Sequence, residues 1–269
     1  MKKNKINKIV LILVGICIIL PILNLIIWAF TERWAWPDLL PQTYSLRAIN
    51  EIFSRKSEMA KLFMSSILLS FIVASLSVMI GLMTARAFVL YDFKWKKQLY
   101  FTTLLPFLIP STVFAMGIHV IFIKWRLSNS LLGVIIVHLI YSLPYATRLL
   151  MDGTLAIGNK LEEQAQVLGA TPLQAFTKTT LPILSPVILS SLSMSYIVSF
   201  SQYFLTLLIG GGKVKTFAIV MFPYLSGGDR NMASTYSLVF LGITIMIFGI
   251  FQMVVSKINK NISRNFYDV

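Results

Sequence analysis

Two histidines, one cysteine and ten carboxylates are the whole supply of acid–base, nucleophilic and metal-binding side chains in 269 residues. Their placement says more than their number. His119, His138 and Cys17 each sit alone inside a long uncharged run, and every Asp and Glu falls outside such runs. Metal sites and hydrolytic centres need several ligands or partners at fixed spacing, and neither a His-Glu-x-x-His pattern nor a Ser/His nucleophile arrangement occurs. The one glycine run before a lysine, Gly210-Gly211-Gly212-Lys213, lacks the first glycine of a phosphate-binding loop and continues to Val214 instead of Ser or Thr. No catalytic residue, cofactor site or metal site is expected. A lone histidine in an apolar run more often bonds a neighbouring helix than a ligand.

The remaining chemistry is hydrogen bonding within apolar segments. Ser195, Tyr196, Ser199, Ser201, Gln202 and Tyr203 cluster in one such run. Polar side chains are costly toward lipid and usually face the interior of a helix bundle. Tyr196, Ser199, Gln202 and Tyr203 are therefore expected to face the bundle interior, with Gln202 the strongest candidate for function. For Ser195 and Ser199, close helix packing is the competing reading.

The elements that carry these residues follow from composition. Hydrophobic residues make up 57% of the chain, charged residues 13%, and the mean hydropathy is +0.78. Those values belong to polytopic membrane proteins. The net charge of +14 sits between apolar runs, where it flanks membrane spans and leaves no basic domain for nucleic acid. Six spans are expected, at 9–30, 62–85, 99–123, 131–151, 182–209 and 231–256, with a loop at 152–182, all within one domain of residues 1–269. The first apolar run resembles a signal peptide but continues from Ile9 to Phe30, long enough to cross a bilayer uncleaved. In lipid each span must satisfy its own backbone polar groups, so the fold class is an all-α membrane protein.

Lys and Arg set the orientation. With the N-terminus inside, 14 of the 24 basic residues lie on the inner side, and Lys2, Lys3, Lys5, Lys8, Lys94, Lys96 and Lys97 crowd short segments near span ends. Both termini are then cytoplasmic. Trp28, Trp34, Trp36 and Trp125 would mark the outer interface, and Tyr91, Trp95 and Tyr100 the inner one. Pro106, Pro110, Pro144 and Pro186 would kink their spans. No span carries a carboxylate, which argues against a proton-coupled carrier.

One segment breaks the apolar character. "EEQAQVLGATPLQAFTKTTLPI", residues 162–183, lies between the fourth and fifth spans on the cytoplasmic side. Asn159 with Glu162 three residues on can cap a helix that places Leu161, Ala165 and Leu168 on one face. Gly169 can end it in the left-handed conformation. Thr171-Pro172 starts a second short helix, and Leu181-Pro182 is expected to break that helix and launch the fifth span. The product is a helix-turn-helix knob. It is either a connector packed on the bundle or a docking surface.

The knob resembles the coupling motif of the inner-membrane permease subunits of ATP-binding-cassette importers: Glu-Ala-Ala, three residues, Gly, nine residues, Ile, one residue, Leu-Pro. Glu163, Ala165, Gly169, Leu181 and Pro182 stand at the matching positions, while Gln164 and Thr179 depart from it. "TARAFVLYDFKWKKQLYFTTLLPFLIPSTVFAMGI" and "GVIIVHLIYSLPYATRLL" are similar to the same family, so that the likeness covers roughly residues 62–256. "SFSQYFLTLLIGGG" with "TFAIVMFPYLSGGD" is similar to its branch for polyamines, ferric iron, thiamine or phosphonates. The resemblance implies a bacterial cytoplasmic-membrane permease that forms half of a solute pathway, with Tyr196, Ser199, Gln202 and Tyr203 as candidates to line it, and hydrolyses no ATP. It also implies its partners: an ATPase dimer, a second permease (a like copy or a paired chain), an extracytoplasmic solute-binding protein and the bilayer. A secondary transporter, or another polytopic protein without an ATPase, is the alternative.

Overall fold

A computed structural model describes residues 2–35 and 37–267. Trp36, assigned to the outer interface, lies outside them, as do the side chains of Lys2, Lys3, Lys5, Lys260 and Arg264 used for orientation. The chain is almost wholly helical and packs as two units. One comprises residues 1–62 and 220–243, the other 63–219 and 244–269.

In the first unit, α1 (Lys2–Ala29) carries an apolar stretch, Val10–Ala29, that the chain itself leaves almost wholly uncovered. Such a helix needs lipid around it. It runs into a short antiparallel pair, β1 (Thr31–Arg33) and β2 (Thr43–Tyr44), and then α2 (Arg47–Ser54). The first turns of α12 (Arg230–Tyr267) close the unit. Asn231 ties three elements together: its amide donates to the carbonyls of Trp28 and Ala29, and its side-chain oxygen accepts the Ala48 N–H. Arg47 grips both oxygens of Asp229 at 2.8 and 2.9 Å, and Asp229 also accepts the Met232 N–H, capping α12. Trp28 lies between the Trp34 ring and the Arg230 guanidinium.

The second unit holds most of α3 (Lys56–Leu90), then α4 (Lys96–Leu108), α5 (Ser111–Lys124), α6 (Leu131–Ile157), α7 (Lys160–Val167), α8 (Pro172–Ala175), α9 (Leu181–Phe200) and α10 (Phe204–Gly210). α11 (Phe217–Gly227) leads back to the first unit. Its core is formed where α6 crosses α9 and where α5 and α6 enclose α10, around Phe122, Val134, Val137, Leu205 and Ile209. A second cluster joins Val78 and Ala85 of α3 to Ala146 and Leu150 of α6. Ser77 and Ser142 share a buried hydrogen bond of 2.6 Å between those helices.

Among the described residues, five helices are long and apolar enough to cross a membrane, or six crossings result if α4 and α5 are one broken span. This corrects the third expected span. Residues 99–123 form two helices that turn by 110°. Ile109 and Pro110 are both extended, because proline disfavours the helical conformation of the residue before it. Pro110 thus ends a helix, whereas Pro106, Pro144 and Pro186 are accommodated inside helices. The fourth span runs six residues further than expected, to Ile157, so the segment 152–182 begins inside α6.

The fifth span is corrected at both ends. Leu181-Pro182 does not interrupt the chain. Residues 176–180 form a π turn in which the Leu181 N–H donates to the Phe176 carbonyl, and Pro172–Phe200 is one continuous apolar helix. The wider register absorbs the hydrogen bond that proline cannot make. The break falls instead at Ser201–Tyr203, between α9 and α10.

Candidate functional site

The knob is built from local signals. α6 ends at Gly158, and α7 follows at once. Asn159 occupies the N-cap position but makes no side-chain cap; its amide donates instead to Glu163 Oε1 at 2.6 Å. The expected capping box with Glu162 therefore does not form, since Glu162 is engaged elsewhere. Gly169 ends α7 at φ +92°, a left-handed conformation that glycine adopts without the Cβ penalty. No atom lies within 4 Å of where a Cβ would stand, so backbone conformation, not space, demands glycine here. α8 has the expected start, Thr171 capping and Pro172 first in the helix. Gln174 reciprocates by accepting the Thr171 N–H at 3.0 Å, completing a capping box the sequence reading left out.

The two adjacent glutamates part company. Glu163 is exposed. Glu162 is 7% exposed, and both its oxygens accept from the Arg86 guanidinium, at 2.7 and 2.9 Å. Thr180 in the π turn donates to the same carboxylate at 2.5 Å. The Arg86 guanidinium also lies 4.5 Å from the centre of the Phe176 ring. Hydrogen bonding to Arg86 holds the Glu162 carboxyl below the usual carboxylate range, with burial opposing and Thr180 assisting. A helix points neighbouring side chains about 100° apart, so two consecutive glutamates can meet different surroundings.

Of the stripe Leu161, Ala165 and Leu168, Ala165 is half-buried and the two leucines are exposed. Val167 and Leu168 are each 88% exposed and Leu173 is 71% exposed, around the Gly169 turn. Ala165 and Leu181 are half-buried, while Gly169 and Pro182 are exposed. The motif thus has one compact part, Glu163 to Gly169, and a second at the start of α9, separated by α8 and the π turn.

At the other end of α9 the chain brings His138, Ser199 and Thr206 together. His138 Nδ1 is 3.0 Å from Ser199 Oγ, and Nε2 is 2.9 Å from Thr206 Oγ1. Thr206 donates its own proton to the Gln202 carbonyl at 2.8 Å, so it accepts from His138 Nε2–H, and Ser199 donates to Nδ1. The histidine bonds neighbouring helices, as its isolation in an apolar run leads one to expect. His119 pairs locally with Ser128. Of the path candidates, Tyr196 and Ser199 are closed off inside this chain, the Tyr196 ring stacking on Phe200, whereas Gln202 and Tyr203 are half-buried at the break.

Residues 77–261 match the family described as the binding-protein-dependent transport system inner membrane component. Over 193 residues the chain is 28% identical to a molybdate/tungstate transport system permease protein of Pyrococcus abyssi, covering 72% of this chain and 77% of that one. Over 176 residues it is 29% identical to a spermidine/putrescine transport system permease protein homolog of Mycoplasma genitalium, covering 64% and 62%. Its fold matches a crystal structure of a bacterial transporter that imports the polysaccharide alginate, with a TM-score of 0.69 at 14% identity over 93% of this chain and 95% of that one. The match covers well over half of the chain: this protein belongs to the binding-protein-dependent family of inner-membrane permeases. It is a multi-pass permease subunit of an ABC importer.

Proposed function

We propose that the chain couples solute import to a separate ATPase through the knob at residues 162–182. The observation that carries this reading is the uncovered apolar surface of Val167, Leu168 and Leu173 around the Gly169 turn, with Glu163 and Gln164 as its polar rim. Exposed apolar patches rimmed by polar groups mark partner surfaces. The matching motif residues have distinct roles. Glu163 supplies a polar anchor, Ala165 keeps α7 slim, Gly169 lets the partner approach the turn, and Leu181 with Pro182 lies within the continuous helix that moves. The ATPase acts as a dimer, and this subunit itself hydrolyses nothing.

Six crossings with both termini cytoplasmic, α4 and α5 forming one broken span, put the knob on the ATPase side, in keeping with the basic segments near the span ends. Half of a solute pathway then lies in this chain, and a second permease, alike or different, completes it. Gln202 and Tyr203 stand where α9 breaks and are the foremost path residues, with Tyr196 and Ser199 behind them. An extracytoplasmic solute-binding protein delivers the cargo. The relatives named above handle an oxyanion in one case and polycations in the other, so they leave the charge of the cargo open.

The test is co-purification from detergent with the product of an adjacent ATPase gene. The wild type is expected to retain the ATPase, and Gly169→Arg to lose it while remaining in the membrane. A wild type that never holds the ATPase would reduce the knob to a connector.

A further inference from the structure

The covalent route from the knob to α9 is soft. It passes through Gly169, an exposed residue in a left-handed turn with no atom near its missing side chain. A push on α7 would be absorbed there before reaching α9. A second route bypasses the hinge. Glu162 on α7 is held by Arg86 on α3 and by Thr180 in the π turn, and Arg86 rests on Phe176 of that same turn. Three elements, one of them 76 positions away, therefore meet on one carboxylate.

The geometry suits load transfer. A guanidinium fork on both carboxylate oxygens resists rotation as well as separation, which a single hydrogen bond does not. The Glu162 and Arg86 side chains are only 9% and 20% exposed, so water competes little for them. The π turn is the irregular part of the helix, where a small shift in register costs least.

We propose that Glu162 and Arg86 are the positioning pair of energy coupling: they clamp α7 to α3 and to the π turn, so that one displacement of the knob moves α3 and α9 together. This rests on the coupling reading above. Glu163 faces the partner, and Glu162 faces the spans.

The clamp is tested first without any partner. Spin labels at Val167→Cys and Met83→Cys, both at exposed positions of α7 and α3, in a Cys17→Ser background, report how firmly the knob is held. In the purified permease the distance distribution is expected to be narrow, and Glu162→Gln, which keeps the shape but removes the charge, is expected to broaden it. An unchanged distribution overturns the clamp.

The second arm uses the transporter reconstituted with its ATPase, without labels. Glu162→Gln and Arg86→Lys are expected to retain the ATPase and hydrolyse ATP within about twofold of wild type, while ATP-driven uptake falls about tenfold. Exchanging the two charges, Arg86→Glu with Glu162→Arg, should recover part of the uptake. Unimpaired uptake in the single variants, or loss of the ATPase together with uptake, overturns the proposal. If the wild type holds no ATPase, the coupling reading falls, and the spin-label result still decides the clamp.

Discussion

The two ends of α9 solve one problem in opposite ways. Each departs from regular helix, by a π turn at residues 176–180 and by a break at 201–203, and each departure is braced from another helix. The first brace is ionic. Arg86 and Glu162 keep some access to solvent, and the carboxylate has three donors. The second is neutral, with the His138 imidazole fully enclosed and shared between two hydroxyls. Charge is tolerated at the margin because its partners are complete and water is near. In the interior an uncompensated charge costs several kcal/mol, and neutral groups that exchange protons by rotation are cheaper to bury.

Breaking each brace sharpens that contrast. The largest effect is expected from Arg86→Leu, which strands Glu162 and should cost about 3 kcal/mol in detergent unfolding. The pH dependence gives the same test a sign. The folded-state value of Glu162 lies below its ordinary 4.5, so its contribution is fully present above 4.5 and is lost as the pH falls through the lower folded-state value. Arg86→Leu should flatten that acid limb, and an unchanged limb would show that the carboxylate does not feel the guanidinium.

A smaller effect is expected at the other end. His138→Leu leaves the Ser199 hydroxyl without its acceptor and Thr206 with only its bond to Gln202, at a cost of about 1–2 kcal/mol. Adding Ser199→Ala should recover part of that loss, because both members of the broken bond are then gone. If the double variant is as unstable as the two losses added together, the histidine and serine are not a functional pair, and the comparison between the two ends fails.

Much of the knob was legible from local chemistry. Gly169, Thr171 and Pro172 act within a few residues, Gly169 and Pro172 through their backbones and Thr171 through a hydroxyl on the Gln174 N–H, so their roles are visible in the local sequence. The apolar runs were legible for the same reason, since each span must satisfy its backbone alone. Proline normally breaks a helix, yet Pro182 follows a π turn whose Thr180 is held from α7, a contact the local sequence does not show. Pro110 gave no sign in the sequence that it would differ from Pro106, yet one ends a helix and the other sits within one.

The sequence by itself determined an all-helical membrane chain, a helix-turn-helix between two spans and a spacing of Glu163, Ala165, Gly169, Leu181 and Pro182 that resembles one permease family. These follow from hydropathy, capping and glycine conformation, all of which act over a few residues. Tertiary structure alone decided which glutamate turns inward. Arg86 lies 76 positions from Glu162, and no local rule can choose between two neighbouring carboxylates until the fold brings the one guanidinium to one of them.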